Sequence, residues 1–150
     1  PRVGLVSIGE EETKGTSLTQ EAAVKIRATD VNYVGNVEGR GLFGGDIEVA
    51  VADGFVGNII LKAAEGVAEL LLGRVKKVVG ENDPKTFLSI AKSFDYANFG
   101  GAPLLGVDGT VIVCHGRSDR RAISNAILVA ARAVAGHVNE HIVAGLAGNE

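Results

Sequence analysis

A single cysteine, Cys114, leaves no partner for an internal disulfide, and the apolar Val111-Ile112-Val113 ahead of it reads as a buried strand rather than the setting of a reactive thiol. A reducing cytoplasm fits that usage. No uninterrupted apolar run approaches the roughly 20 residues of a membrane-spanning helix, and the opening PRVGLVSIG has no basic region leading into a long apolar segment. Neither a membrane span nor a signal peptide is expected. Basic charge is also scarce: 15 Lys and Arg against 18 Asp and Glu leave a net charge of -3, whereas binders of the nucleic-acid backbone carry a basic patch or stripe. Nucleic acid is therefore not an expected partner. The small clusters Arg74, Lys76, Lys77 and Arg117, Arg120, Arg121 read as solvated faces or anion contacts.

Two glycine fingerprints are missing as well. Neither GxGxxG after a strand nor the GxxxxGK[ST] phosphate loop occurs, so dinucleotide and nucleoside triphosphate readings lose their usual support. Glu10, Glu11 and Glu12 are consecutive carboxylates without a ligand-spaced His or Cys, which reads as a solvated loop. No metal and no cofactor are expected.

What is present is a chain of 150 residues, 46% hydrophobic, enough for one soluble domain with one ordinary core. No internal repeat or low-complexity tract interrupts it. Residues 3–8 form a β-branched-rich strand ending at Gly9, followed by a polar loop. Ser17 with Gln20 resembles a capping box for a helix over 18–28, and residues 31–35 make a second strand, which completes a strand, helix, strand crossover. A Gly-rich loop over 36–45 leads to a third strand, 47–52, that stops at Asp53-Gly54.

From Gly57 the apolar spacing changes from two to about 3.6, predicting a helix of roughly twenty residues. Asp83-Pro84 pairs an N-cap residue with proline at the first helical position, so a second helix covers 85–94 and forms a hairpin with the first around Gly80. Residues 100–106 read as a loop, 110–114 as a fourth strand, and a last helix capped by Ser118 carries Ile123, Ala126, Ile127, Ala130 and Val134 on one face. The expected class is α/β: a largely parallel sheet with flanking helices and a protruding helical hairpin at about 58–95.

Ligands of open α/β sheets bind beyond the carboxyl ends of the strands. Four segments meet that condition: Gly9-Glu10-Glu11, the stretch from Gly35 through Asn36 and Glu38 to Arg40, the stretch from Asp53 and Gly54 to Gly57 and Asn58, and His115 to Ser118. The third has the outline of an anion site, because two glycines permit a sharp turn and the following helix offers unpaired amides at the positive end of its dipole. Asn58 and Lys62, four residues apart, share a helix face and could hold a phosphate or an oxyanion. The plainer reading has Asp53 capping the helix and Lys62 solvated. His115 could meet an anion or serve as an acid or base, or be an ordinary hydrogen-bonded histidine. The hairpin, with Val67, Leu70, Leu71, Val75, Val78 and Val79 beside Arg74, Lys76 and Lys77, suits dimer packing or contact with lipid or carrier protein.

In order along the chain, VGLVSIGEEETKG, NYVGNVEGR, VAVADGFVGNIILKAAEG, YANFGGAPLLGVDG and VIVCHGRSD resemble the phosphate acyltransferases of bacterial phospholipid synthesis. The resemblance runs from about Arg2 to Val138 and corresponds to the C-terminal portion of that family, with the N-terminal half absent. A chain that opens directly into a core strand agrees with that expectation. The resemblance implies an isocitrate/isopropylmalate dehydrogenase-like fold, a homodimer, and a cytoplasmic enzyme in peripheral contact with the inner face of the membrane through the hairpin. It implies transfer of an acyl group from acyl carrier protein to inorganic phosphate.

On that resemblance Lys62 and the helix start at Gly57-Asn58 would bind phosphate or the oxyanion, and Asp53 would orient Lys62 or the loop. Gly54 belongs to the same turn. Asn36, Glu38, His115 and Ser118 would line the cleft, with residues 100–106 beside an acyl channel. Two other readings use the same features: a short-chain phosphotransacetylase acting on acyl-coenzyme A, and a non-catalytic module that binds carrier protein or membrane.

Overall fold

A computed structural model describes residues 1–80, 82–94 and 100–147. The chain forms two compact units, Pro1–Gly66 and Val67–Glu150. Val3, Leu5 and Val37 are buried in the first unit, Ala122 and Ala126 in the second.

In the first unit, strand β1 (Val3–Val6) lies between β2 (Tyr33–Val37) and β3 (Val49–Val51), and both pairings are parallel. The parallel crossover read from the sequence is therefore present. Its helix α1 (Ser17–Arg27) starts one residue earlier than expected, because Thr16 rather than Ser17 is the cap and its Oγ1 accepts the Thr19 amide. Gln20 sends its side chain to the Thr13 carbonyl at 2.8 Å instead of closing a capping box. Strand β2 is shifted two residues along from its expected place. The loop expected over 36–45 contains a short helix, α2 (Gly39–Gly44), which stops where Gly45 adopts a left-handed φ of 82°.

Helix α3 (Gly54–Val75) begins three residues before Gly57. The cause is local: Asp53 Oδ1 accepts the amides of Phe55 and Val56, both at 2.9 Å, so the first turn closes at once. A π-helical turn, Lys76–Gly80, continues α3. Asp83 then caps α4 (Pro84–Ser93), accepting the Thr86 amide at 3.1 Å with Pro84 at the first helical position, as the sequence predicts. The expected end of the hairpin at 95 and the 96–99 part of the YANFGG motif lie outside the described residues.

The expected loop over 100–106 is in part a strand. β4 (Ala102–Leu104) pairs antiparallel with β5 (Val111–Val113), joined by a turn in which Gly106 and Gly109 take φ of 81° and 134°. A proline-containing strand is compatible with a two-stranded ribbon, where the missing N–H can face outward. β5 is the strand expected to be buried around Cys114, yet Val111 and Val113 are exposed and Cys114 is half-buried. The last helix, α5 (Arg120–Ala135), is capped by Asp119, whose Oδ1 accepts the Ala122 amide at 2.8 Å, not by Ser118. It ends at Gly136, and after His137, at φ 51°, a further helix α6 (Val138–Ala147) follows that periodicity did not separate.

The architecture is α/β with a small parallel sheet, an antiparallel hairpin and flanking helices. Among the described residues no helix is long and apolar enough to cross a membrane.

Candidate functional site

The turn from β3 into α3 is built by Asp53. With its carboxylate on the Phe55 and Val56 amides, two of the donors that a helix start would offer an anion are already satisfied. The plainer reading of Asp53 as a cap therefore describes its geometry. Gly54 opens the helix and Gly57 sits half-buried in its first turn, its amide bonded to the Asp53 carbonyl at 2.9 Å. Asn58 and Lys62 are exposed, one turn apart on α3. Lys62 Nζ also meets Glu65 Oε2 at 3.0 Å. An ammonium and an amide one turn apart on a shared helix face can receive a phosphate oxygen, once the carboxylate neighbour is exchanged.

Asn36 closes β2 from the same unit. Its Nδ2 donates to the Glu11 carbonyl at 2.9 Å, tying the strand end to the loop after β1. Glu38 is exposed and stands at the N-cap position of α2 without a side-chain capping bond. The Ser7 hydroxyl, just past the end of β1, is buried without a hydrogen-bond partner among the described residues.

His115 and Ser118 lie in the second unit, in the turn between β5 and α5. The His115 carbonyl accepts the Ser118 amide at 2.9 Å, and its Nδ1 accepts the Arg117 amide at 3.3 Å. Arg117 reaches Glu69 at 3.1 Å. Among the described residues no cluster of His, Cys, Asp and Glu is arranged to hold a metal ion.

One concavity escaped the sequence reading altogether. A cavity of about 510 Å³ in the first unit lies between α1 and β2. Gln20, Ala23, Val24 and Arg27 face it from α1, a spacing that defines a single helix face, and the run from Tyr33 to Asn36 forms the opposite wall. Arg27 pairs with Glu12 at 2.8 Å and lies 5.8 Å from the centre of the Tyr33 ring. Burial pushes the Tyr33 phenol above its ordinary pKa; Arg27 opposes the shift and Glu12 adds to it. The 20, 23, 24, 27 spacing was legible in the sequence, but a helix face says nothing of whether the space before it is filled.

Parallel strands feeding helices, with Asn36 and Asp53 near the strand ends of the first unit, make this an α/β protein. The profile of the family described as "Fatty acid synthesis protein" matches residues 1–141, and the chain belongs to that family. It is similar to proteins named "Phosphate acyltransferase": 44% identical to that of Syntrophotalea carbinolica, over 97% of this chain and 45% of the relative. It is 49% identical to that of Wolinella succinogenes, over 98% of this chain and 47% of the relative. For Desulforamulus reducens the figures are 51%, 89% and 43%. The chain thus spans a little under half the length of these curated relatives, and what it matches is their C-terminal part.

Proposed function

We propose that the chain supplies the C-terminal part of an enzyme that transfers a fatty acyl group from acyl carrier protein to inorganic phosphate. The observation that carries the reading is similarity over nearly the whole chain to proteins named for phosphate acyl transfer. The carrier protein as donor is our reading of a family described by fatty acid synthesis. In the longer protein the parallel sheet belongs to an isocitrate/isopropylmalate dehydrogenase-like fold.

A phosphate oxygen attacks the thioester carbonyl, the C–O bond forms, and a tetrahedral oxyanion develops. Its collapse breaks the C–S bond and releases the carrier-protein thiolate, which takes a proton from water. No covalent enzyme intermediate is needed, so the protein's contribution is positioning and charge stabilisation. Lys62 and Asn58 hold the phosphate or the oxyanion, while Asp53 acts as a positioning residue by fixing the start of α3. Gly54 and Gly57 let the backbone approach the ligand, and Asn36 and Glu38 in the first unit and His115 and Ser118 in the second supply further ligand contacts. A ring N–H of His115 donates a hydrogen bond to an anionic oxygen.

The exposed apolar side chains of α3 and α4, among them Leu70 and Leu88, give the protein a surface for homodimer packing and for peripheral contact with the inner face of the membrane. The donor is tested by offering palmitoyl carrier protein and acetyl-coenzyme A separately, each with phosphate. Acyl phosphate from the first and not the second supports the reading, and the reverse would make the enzyme a short-chain phosphotransacetylase.

A further inference from the structure

The cavity between α1 and β2 has a shape and a polarity that fit one class of ligand. Its volume of about 510 Å³ falls within the roughly 300–1,000 Å³ of small-molecule sites. It runs from Glu10 and Asn36, at the carboxyl ends of the strands, along the outer side of β2 to Arg27 and Tyr33.

Its walls choose between occupants. β2 is an edge strand of the described sheet, the place where another strand would ordinarily add. Yet its register slips: Val3 pairs with Tyr33 and Gly4 with Gly35, so Val34 is an extra residue and Gly35 takes a φ of 105°. A bulge of this kind interrupts the ladder and re-aims side chains, which disfavours a regular added strand and favours a ligand. Inorganic phosphate is disfavoured too. Glu10 and Glu12 line the cavity, and the Arg27 guanidinium is already paired with Glu12.

The remaining groups suit a neutral, linear amide. The carboxamides of Gln20 and Asn36 each donate one N–H to a loop carbonyl, of Thr13 and Glu11, which fixes their orientation and leaves their oxygens as acceptors on the groove wall. Amide N–H donors answer such acceptors, and aliphatic segments between them answer Ala23, Val24 and Val34.

We infer that this groove seats the pantetheine arm of the acyl donor, two amide N–H groups on the Gln20 and Asn36 oxygens and its methyl-bearing carbons against Val24. The inference rests on the acyl-transfer reading for its choice of donor and deepens it by placing the thiol end of the arm at the strand termini.

The test is calorimetric titration of the full-length protein that contains this chain with pantetheine, coenzyme A, and carrier protein with and without its arm. Val24 is 66% exposed, so Val24→Trp fills the groove without disturbing the core; helix content by circular dichroism verifies this. Saturable pantetheine binding is expected, weakened at least tenfold by Val24→Trp and about fivefold by Gln20→Leu, the loss of one hydrogen bond. Phosphate should not compete.

A preference for arm-bearing over bare carrier protein that Val24→Trp abolishes identifies the carrier protein as the source; the same sensitivity for coenzyme A alone identifies that source instead. Absent binding, binding indifferent to Val24→Trp, or displacement by phosphate would overturn the groove assignment. Saturable, Val24-sensitive binding in a protein without phosphate-dependent turnover would remove the acyl-transfer reading and leave the groove standing.

Discussion

Lys62 Nζ lies 3.0 Å from Glu65 Oε2 on the same exposed helix, so the ammonium assigned to phosphate has a carboxylate neighbour to exchange. An exposed pair of this spacing contributes only about 0.3–0.5 kcal/mol, small against the roughly 2.7–4 kcal/mol of one oxyanion contact. Lys62→Ala should lower kcat/KM for phosphate about 100-fold and leave the thermal midpoint within a degree or so of the parent. Steady-state kinetics and calorimetry on one preparation separate the two effects, and unchanged phosphate dependence would remove Lys62 from the site.

Asp53→Ala should act through the fold. The carboxylate satisfies the Phe55 and Val56 amides, and loss of such a cap costs about 1 kcal/mol. Asp53→Asn keeps an acceptor oxygen and should recover most of the stability. Denaturant unfolding of both variants checks the order, and a stable Asp53→Ala would show that the cap is dispensable.

Gly100 has a φ of 81°, and a Cβ there would stand 2.5 Å from the Ala126 amide nitrogen and the Asn125 carbonyl carbon. Those are backbone atoms inside α5 and cannot give way as a side-chain tip would. Gly100→Ala should destabilise the second unit by about 3 kcal/mol or more, read as a shifted unfolding midpoint. Gly35, also at positive φ but with open space around its Cβ position, should show only the smaller conformational penalty.

The Glu48 carboxylate accepts the Arg2 side chain at 2.6 Å and the Arg2 backbone amide at 2.6 Å, and these bonds lower its pKa from 4.5 to about 2. A carboxylate whose folded pKa is depressed stabilises the fold above its unfolded value and loses that contribution as pH falls through the folded one. Stability should therefore decline between pH 4.5 and about 2, with Asp83, lowered by its bonds to Thr86, adding in the same direction. Glu48→Gln should flatten part of that slope in unfolding curves recorded across the window. An unchanged slope would mean the Arg2 bonds are not maintained in solution.

Much of the local structure was legible because it is written in neighbouring residues. Asp83-Pro84 specifies its helix start, and the crossover from β1 through α1 to β2 follows from a β-branched run, a polar helix start after it and a second short strand. The caps at Thr16 and Asp119 were each misplaced by one position, since adjacent Thr16-Ser17 and Ser118-Asp119 each offer the backbone two side-chain oxygens able to cap. Pairing was less legible: that Ala102-Pro103-Leu104 is a strand depends on Val111–Val113 folding back upon it, a contact with no local signature. The motif residues could be placed at strand ends, but the carboxamide orientations of Gln20 and Asn36 arise from bonds to loop carbonyls that no periodicity encodes.

Acyl transfer to phosphate is the reaction on which the assigned roles of Lys62, Asn58 and Asp53 depend. Its most direct measurement is release of free carrier protein from palmitoyl carrier protein by the full-length protein that contains this chain, with and without inorganic phosphate. Release that requires phosphate and yields palmitoyl phosphate is the predicted result, whereas no release, or release indifferent to phosphate, would contradict it.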